Sequence, residues 1–371
     1  MTKVAPALPP LRAELGLTLV ESGFVATTFN VIGMIAGVLA GMLCDRYGQK
    51  RLGIAGLGVM AAGGALGAAA GTFALLLFSR FVEGLGFVLF AVAAPTLMSA
   101  AAATPRDRAK ALGLWSSYMP AGGALALFAA PLLIAQWGWR GLWVASALVA
   151  LGCAFLLGRM APAPQHGKVR SWRLIAESFA QKGNLVMAAL FACYVAQWTS
   201  VMIWLPTFLI DEHRLAAGTA ALATALMVLV NAPGNIAGGW LLAHGVRRGP
   251  LVIAALAIAA VCEIGMLSPA LGSATRFSLV LAFSFCIGAI PASIFGGLPV
   301  HAKTPQHIAT GNGIVLHGSN FGQFFGPLAL AWIASHFGGW QATLWAMLGF
   351  AALGSFLGLI LGRIERTKIP A

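Results

Sequence analysis

The stretch Gly41-Met42-Leu43-Cys44-Asp45-Arg46-Tyr47-Gly48-Gln49-Lys50-Arg51 decides the fold. It sets one carboxylate and three cations between long apolar runs, with a glycine on either side of the Asp-Arg pair. A soluble loop has no need of that arrangement. A tight turn between two membrane helices does, because glycine permits the reversal and cations hold the turn on one side of the bilayer.

Composition widens the same reading. Of 371 residues, 59% are hydrophobic and 9% charged, and the mean hydropathy is +0.87. Soluble domains carry about 25% charged residues, so the chain belongs in a membrane. The net charge of +13 does not point to nucleic acid. The cations cluster between apolar runs, with no groove-sized stripe and no interleaved aromatic-basic motif. Cys44, Cys153, Cys193, Cys262 and Cys286 have no metal-ligand spacing and read as small core hydrophobes.

A helix needs about 20 apolar residues to cross a bilayer. Charges and turn residues cut the chain into eleven such segments: 19–43, 52–71, 74–100, 111–135, 140–159, 184–210, 216–242, 250–271, 277–300, 309–335 and 340–362. They are too long for the roughly 10-residue alternating strands of a membrane barrel. Thr18 followed by Glu21 marks the first helix start as a capping box. Seventeen of the 23 Lys and Arg fall in alternate loops, and five in the other loops and the N-terminal stretch; Arg80 lies within a span. The positive-inside rule therefore places the central loop and the C-terminus in the cytoplasm. Trp137, Trp139, Trp143, Trp204 and Trp340 then fall near external ends, as an aromatic belt would. With eleven spans, Met1 falls outside. Residues 1–18 are thus expected to be an external loop after a missing first helix, lost through a late start or a truncation.

The second half echoes the first. Ala40-Gly41, Gly48 and Lys50-Arg51 recur 197 residues later as Ala237-Gly238, Gly245 and Arg247-Arg248. Gly138-Trp139 recurs as Gly339-Trp340. Residues 19–160 are expected to form an N-terminal bundle and 184–363 a C-terminal bundle. Residues 161–183 join them, and 364–371 form a tail. Within the join, Trp172, Ile175 and Phe179 share one helical face. The two readings are a short interfacial helix and a solvated linker.

The run from Gly41 to Arg51 resembles the loop signature of the major facilitator superfamily, Gly-x-Leu-x-Asp-Arg-x-Gly followed by basic residues; Gln49 is the one departure. Arg80, Gly84 and Gly86 match that family's span-four signature, Arg-x-x-x-Gly-x-Gly. Within the family, Leu11 to Leu17 and Gly138-Trp139-Arg140 are similar to the cyanate and nitroimidazole transporter group. Met119-Pro120-Ala121-Gly122-Gly123 departs from the antiporter signature. The resemblance implies an all-α polytopic membrane protein of two six-helix bundles that rock about a midplane site. The implied function is secondary active transport of a small polar or anionic organic solute across the cytoplasmic membrane, with a proton as coupling ion. A drug exporter and a non-transporting sensor are the alternatives. No phosphate loop is present, no nucleophile–base or metal cluster supports an enzyme, and no cofactor is expected. The chain is expected to act as a monomer among anionic lipids, which Arg46, Lys50 and Arg51 would face.

Ionisable groups inside spans are costly and are site candidates on that ground. Arg80 and Glu83 stand three residues apart on one face. They fit an anion site with its counter-ion or proton carrier, or a structural ion pair. Glu263 lies in a peripheral span. His317, with Asn320 and Gln323 on the same broad face, could exchange a proton near neutral pH or be a packing histidine. Tyr118, Tyr194 and Gln197 are further polar candidates, each equally readable as interhelical glue. Asp45 is the member of the opening run that a topology anchor does not explain. A gating role for Gly41, Asp45, Arg46, Gly48, Lys50 and Arg51 follows from it.

Overall fold

The structure is a computed structural model that describes residues 2–101, 104, 118–160 and 172–368. The described residues are helical apart from short turns. The chain divides into two compact units, Met1–Ser171 and Trp172–Ala371.

The first unit holds α1 (Val4–Leu15), α2 (Leu19–Thr27), α3 (Val31–Tyr47), α4 (Gln49–Ala68), α5 (Phe73–Ala101) and α6 (Tyr118–Met160). The second holds α7 (Trp172–Phe179), α8 (Lys182–His213), α9 (Ala217–Ala243), α10 (Arg248–Leu267), α11 (Ser273–Ile287), α12 (Ala289–His301), α13 (Pro305–His336) and α14 (Leu344–Lys368). Among the described residues, nine helical stretches are long and apolar enough to cross a membrane. One of them, Gly122–Arg159, is 38 residues long, about twice a single crossing. It breaks at Gly138, whose φ of 63° and ψ of −174° are not helical. The 32-residue α13 also has the length to cross; Asn312, His317, Asn320 and Gln323 lower its hydropathy.

Three expectations are corrected. Residues 4–15 are not an external loop but the helix α1. Pro9 and Pro10 remove two backbone donors, and on local grounds they argue for a loop. Packing overrides them: Val4, Ala5, Ala7, Leu8 and Leu11 are buried, and α1 lies against α6 and α2. Gly16 ends the helix in the left-handed region, φ 64°, with its N–H on the Arg12 carbonyl. Segment 277–300 is two helices, α11 and α12, parted at Gly288. Segment 19–43 is broken by a 3-10 turn at Thr28–Asn30. The capping box at Thr18 is formed: its hydroxyl accepts from the Glu21 N–H at 3.1 Å, and Glu21 accepts from the Thr18 N–H at 2.8 Å.

The repeat read from sequence is present in the backbone. Gly48 and Gly245 both have φ 86°. Gly138 and Gly339 are the second pair, at φ 63° and 90°. Side chains rarely adopt such angles, so a glycine marks the turn at the matching place in each unit. Between these turns the helices meet through small residues, as lipid-embedded packing requires. A Cβ on Gly84 of α5 would sit 2.2 Å from the Phe29 carbonyl oxygen.

Candidate functional site

Arg80 and Glu83 lie on α5, facing the interior of the first unit; Arg80 is 0% exposed and Glu83 4%. They pair directly with each other. Glu83 divides its carboxylate: one oxygen accepts from Arg80, and the other accepts from the Lys3 ammonium at 2.6 Å. Lys3 also donates to the Ser146 hydroxyl of α6 at 2.7 Å and lies 4.6 Å over the Trp143 ring. The Arg80 Nε donates to the Val25 carbonyl of α2 at 3.2 Å, and its guanidinium lies 4.9 Å over Phe29. Its second terminal nitrogen, Nη2, is buried without a partner. Gly63 lets α4 close on the pair, since a Cβ there would meet the Glu83 N at 2.7 Å and its Cγ at 2.8 Å.

Sequence reading grouped Lys3 with the external N-terminal stretch. The structure buries it and makes it the third member of the network. The available signal was local: Val4, Ala7, Leu8 and Leu11 carry helical apolar spacing, with Gly16 as a C-cap. At the end of α1, Glu14 accepts from the Trp139 Nε1 at 2.7 Å and pairs with Arg140. Those two hydrogen bonds, that from Arg140 the stronger, hold the Glu14 carboxyl below the usual carboxylate range.

The second unit has a buried polar cluster without charge. The Ser284 hydroxyl of α11 donates to the Met227 carbonyl at 2.7 Å and accepts from the Trp198 Nε1 at 3.2 Å. Asn231 donates to the Ser284 carbonyl at 2.9 Å. Gln197 donates to the Cys193 carbonyl of its own helix at 3.1 Å. On α13 the polar face does not converge. The His317 ring nitrogen bonds the Gly313 carbonyl, Asn320 the Leu316 carbonyl, and Gln323 the Ser319 hydroxyl. Glu263 is 0% exposed, and neither carboxylate oxygen has a partner.

At the opening motif, α3 runs to Tyr47, and Gly48 turns the chain into α4. Arg46 and Arg51 are exposed. The side chains of Asp45 and Tyr118, and the surroundings of Gly41, lie outside the described residues. The second copy has Leu242 at the position of Asp45. There Glu365 of α14 accepts from Arg248 at 3.2 Å and lies 3.2 Å from the His301 Nε2. Arg248 also donates to the Gly296 carbonyl at 2.8 Å. Residues Trp172–Phe179 of the join are helical, as α7; Glu177 there lies 3.3 Å from the His307 Nε2 of α13. No three or more His, Cys, Asp or Glu gather to hold a metal among the described residues.

The Major Facilitator Superfamily model matches residues 1–315. The chain belongs to that superfamily: it is a multi-pass membrane transporter and not an enzyme. It is 26% identical over 339 residues to a putative niacin/nicotinamide transporter of Bacillus subtilis (strain 168), covering 88% of this chain and 82% of that protein. It is 28% identical over 322 residues to the 3-(3-hydroxy-phenyl)propionate transporter of Escherichia coli (strain K12), covering 81% and 74%. Its fold is similar to that of a bacterial homolog of the human lysosomal transporter Spinster in an inward-facing, unoccupied conformation. The TM-score is 0.85 at 17% identity, over 100% of this chain and 95% of that one.

Proposed function

We propose that this chain carries a small organic carboxylate across the cytoplasmic membrane by alternating access, coupled to protons. One observation carries the reading. The buried network of the first unit holds two cations and one carboxylate, and the Arg80 Nη2 has no partner. A charge buried away from water needs a counter-charge, and arginine presents a planar fork that suits a carboxylate. An organic anion meets both needs. Two relatives are named for solutes of this kind, a niacin/nicotinamide carrier and a hydroxyphenylpropionate carrier. The membrane-borne aromatic surfaces of Phe29 and Trp143, which already cover the two cations, suit the ring of such a solute.

Glu83 and His317 are the candidate proton carriers from sequence, and Tyr194, Gln197, Asn320 and Tyr118 the candidate polar contacts. The Gly41–Arg51 turn serves as a gate through Asp45, with its cations at anionic headgroups. The C-terminus lies in the cytoplasm, and the monomer is the working unit. The likeness of residues 11–17 and 138–140 to the cyanate and nitroimidazole group extends the range of solutes worth testing to small inorganic anions.

Uptake into proteoliposomes tests the proposal, using nicotinate, 3-(3-hydroxyphenyl)propionate and cyanate, with and without an inward proton gradient. Accumulation of a carboxylate that collapses with the gradient is the expected result. A chain that inserts and moves none of the three contradicts it.

A further inference from the structure

Lys3 occupies an unusual place for a lysine. It is enclosed by α5 and α6 and bonded to Glu83 and Ser146. Among the described residues, the charged and titratable groups facing it are Glu83 and Arg80, both from α5. The other elements present Trp143, Ser146, the Val25 carbonyl and Gly63. With every member ionised, the network carries one uncompensated positive charge.

Resting on the carboxylate reading above, we infer that Lys3 is the proton-binding group that couples the solute to the proton. Its ammonium form gives the network the charge that holds a monocarboxylate, and its amine form cancels that charge and lets the solute go.

The chemistry of the three members singles out Lys3. An arginine guanidinium does not give up its proton in a protein. Glu83 accepts a cation's N–H on each oxygen, so a proton placed there would remove the charge that both cations pair with. Lys3 can lose a proton at the smallest cost in hydrogen bonds. It makes two donations, to Glu83 and Ser146, and a neutral amine still has two N–H groups for them. Ser146 donates its own hydroxyl proton to the Trp143 carbonyl at 2.9 Å, so its oxygen is the acceptor from either form of Lys3. What the amine loses is its charge attraction to the Glu83 carboxylate, 2.6 Å away, and to the Trp143 face. The Arg80 Nη2 supplies the free N–H for the incoming anion. A loaded network, carrying one anion and one extra proton, has no net charge, so loaded and empty carriers cross without electrical work. Transport is therefore electroneutral, and an imposed membrane potential leaves its rate unchanged.

The test uses the purified full chain in detergent. Nicotinate and 3-(3-hydroxyphenyl)propionate are titrated in weakly buffered solution with a pH dye, and nicotinamide serves as the uncharged control. On the alkaline side, where the empty network holds Lys3 as the amine, about one proton should be taken up per carboxylate bound and affinity should fall about tenfold per pH unit. Lys3→Arg keeps the positive charge and cannot release it, so it should bind carboxylate with no proton uptake and a flat pH dependence. Lys3→Gln should lose carboxylate affinity. Carboxylate binding on the alkaline side without proton uptake in the natural sequence overturns the inference, as does full uptake by Lys3→Arg; the carboxylate reading survives both. Should Lys3→Arg fail to fold, the proton stoichiometry of the natural sequence decides alone. If neither carboxylate binds at any pH, the carboxylate reading itself fails, and this inference with it.

Discussion

The two units repeat the same turns and fill their interiors differently. The first buries Arg80, Glu83 and Lys3 in one charged network. The second joins buried Ser284 to the half-buried Asn231 and Trp198 in a cluster bound by neutral hydrogen bonds. The turns differ as well. The first copy keeps its acid within the motif, at Asp45. The second has Leu242 there, and Glu365 of α14 pairs with Arg248. Backbone reversal is thus the shared property of the halves, and charge is what each half places for itself. The first unit's network joins buried charges directly to one another, whereas the Ser284 cluster glues helices through neutral groups.

The largest effect should come from breaking the charged core. Arg80→Ala removes the anion's partner, and carboxylate affinity should fall by about 2–5 kcal/mol; isothermal titration on protein that still inserts measures it. Unchanged affinity would make Arg80 a structural ion-pair member. The matching change in the second unit is smaller. Ser284→Ala removes neutral hydrogen bonds, and should lower stability by about 1 kcal/mol while leaving carboxylate affinity within about twofold. Thermal unfolding and binding read the two quantities separately, and a large affinity loss there would erase the contrast between the units.

The turns supply the next comparison. Gly48→Ala and Gly245→Ala force the same positive φ on a side chain, and each should cost about 1 kcal/mol or more in stability. Unequal losses would show that the turns are not equivalent. Asp45→Asn should slow transport more than it weakens binding, because the first copy alone carries an acid in the motif; equal transport rates would remove its gating role.

The smallest effect concerns Glu14, at the exposed end of α1. Its carboxyl is held low by Arg140 and Trp139. The pairing therefore stabilises the fold above the ordinary glutamate value of about 4.3, and that contribution disappears as pH falls through the folded value. Glu14→Gln should be slightly less stable than the natural sequence at neutral pH and match it in acid. A difference that persists in acid would assign the effect to packing.

The architecture was legible because it follows from quantities that need no partner. Span length, loop charge and the glycines at 48, 138, 245 and 339 are properties of the chain itself; the long apolar helices and the positive φ of those glycines are present in the structure. Arg80 and Glu83 were legible too, since two charges three residues apart within an apolar run must meet. Lys3 was not, because Pro9 and Pro10 masked the helix that carries it and because its partner lies 80 residues away. His317, Asn320 and Gln323 share a face by spacing, yet each turns back to its own helix. Spacing sets which face a residue takes; it does not set which acceptor a rotamer finds.

The sequence by itself determined that this chain crosses a membrane many times, in two related halves, with charge stationed at tight glycine turns. Bilayer thickness and the cost of burying ions leave no other reading. Only the tertiary structure decided that the buried pair is a triad, with Lys3 as its third member, and that Glu365 of α14 pairs with Arg248. Both depend on which distant side chains the helices bring together, and helix packing, not local sequence, sets that.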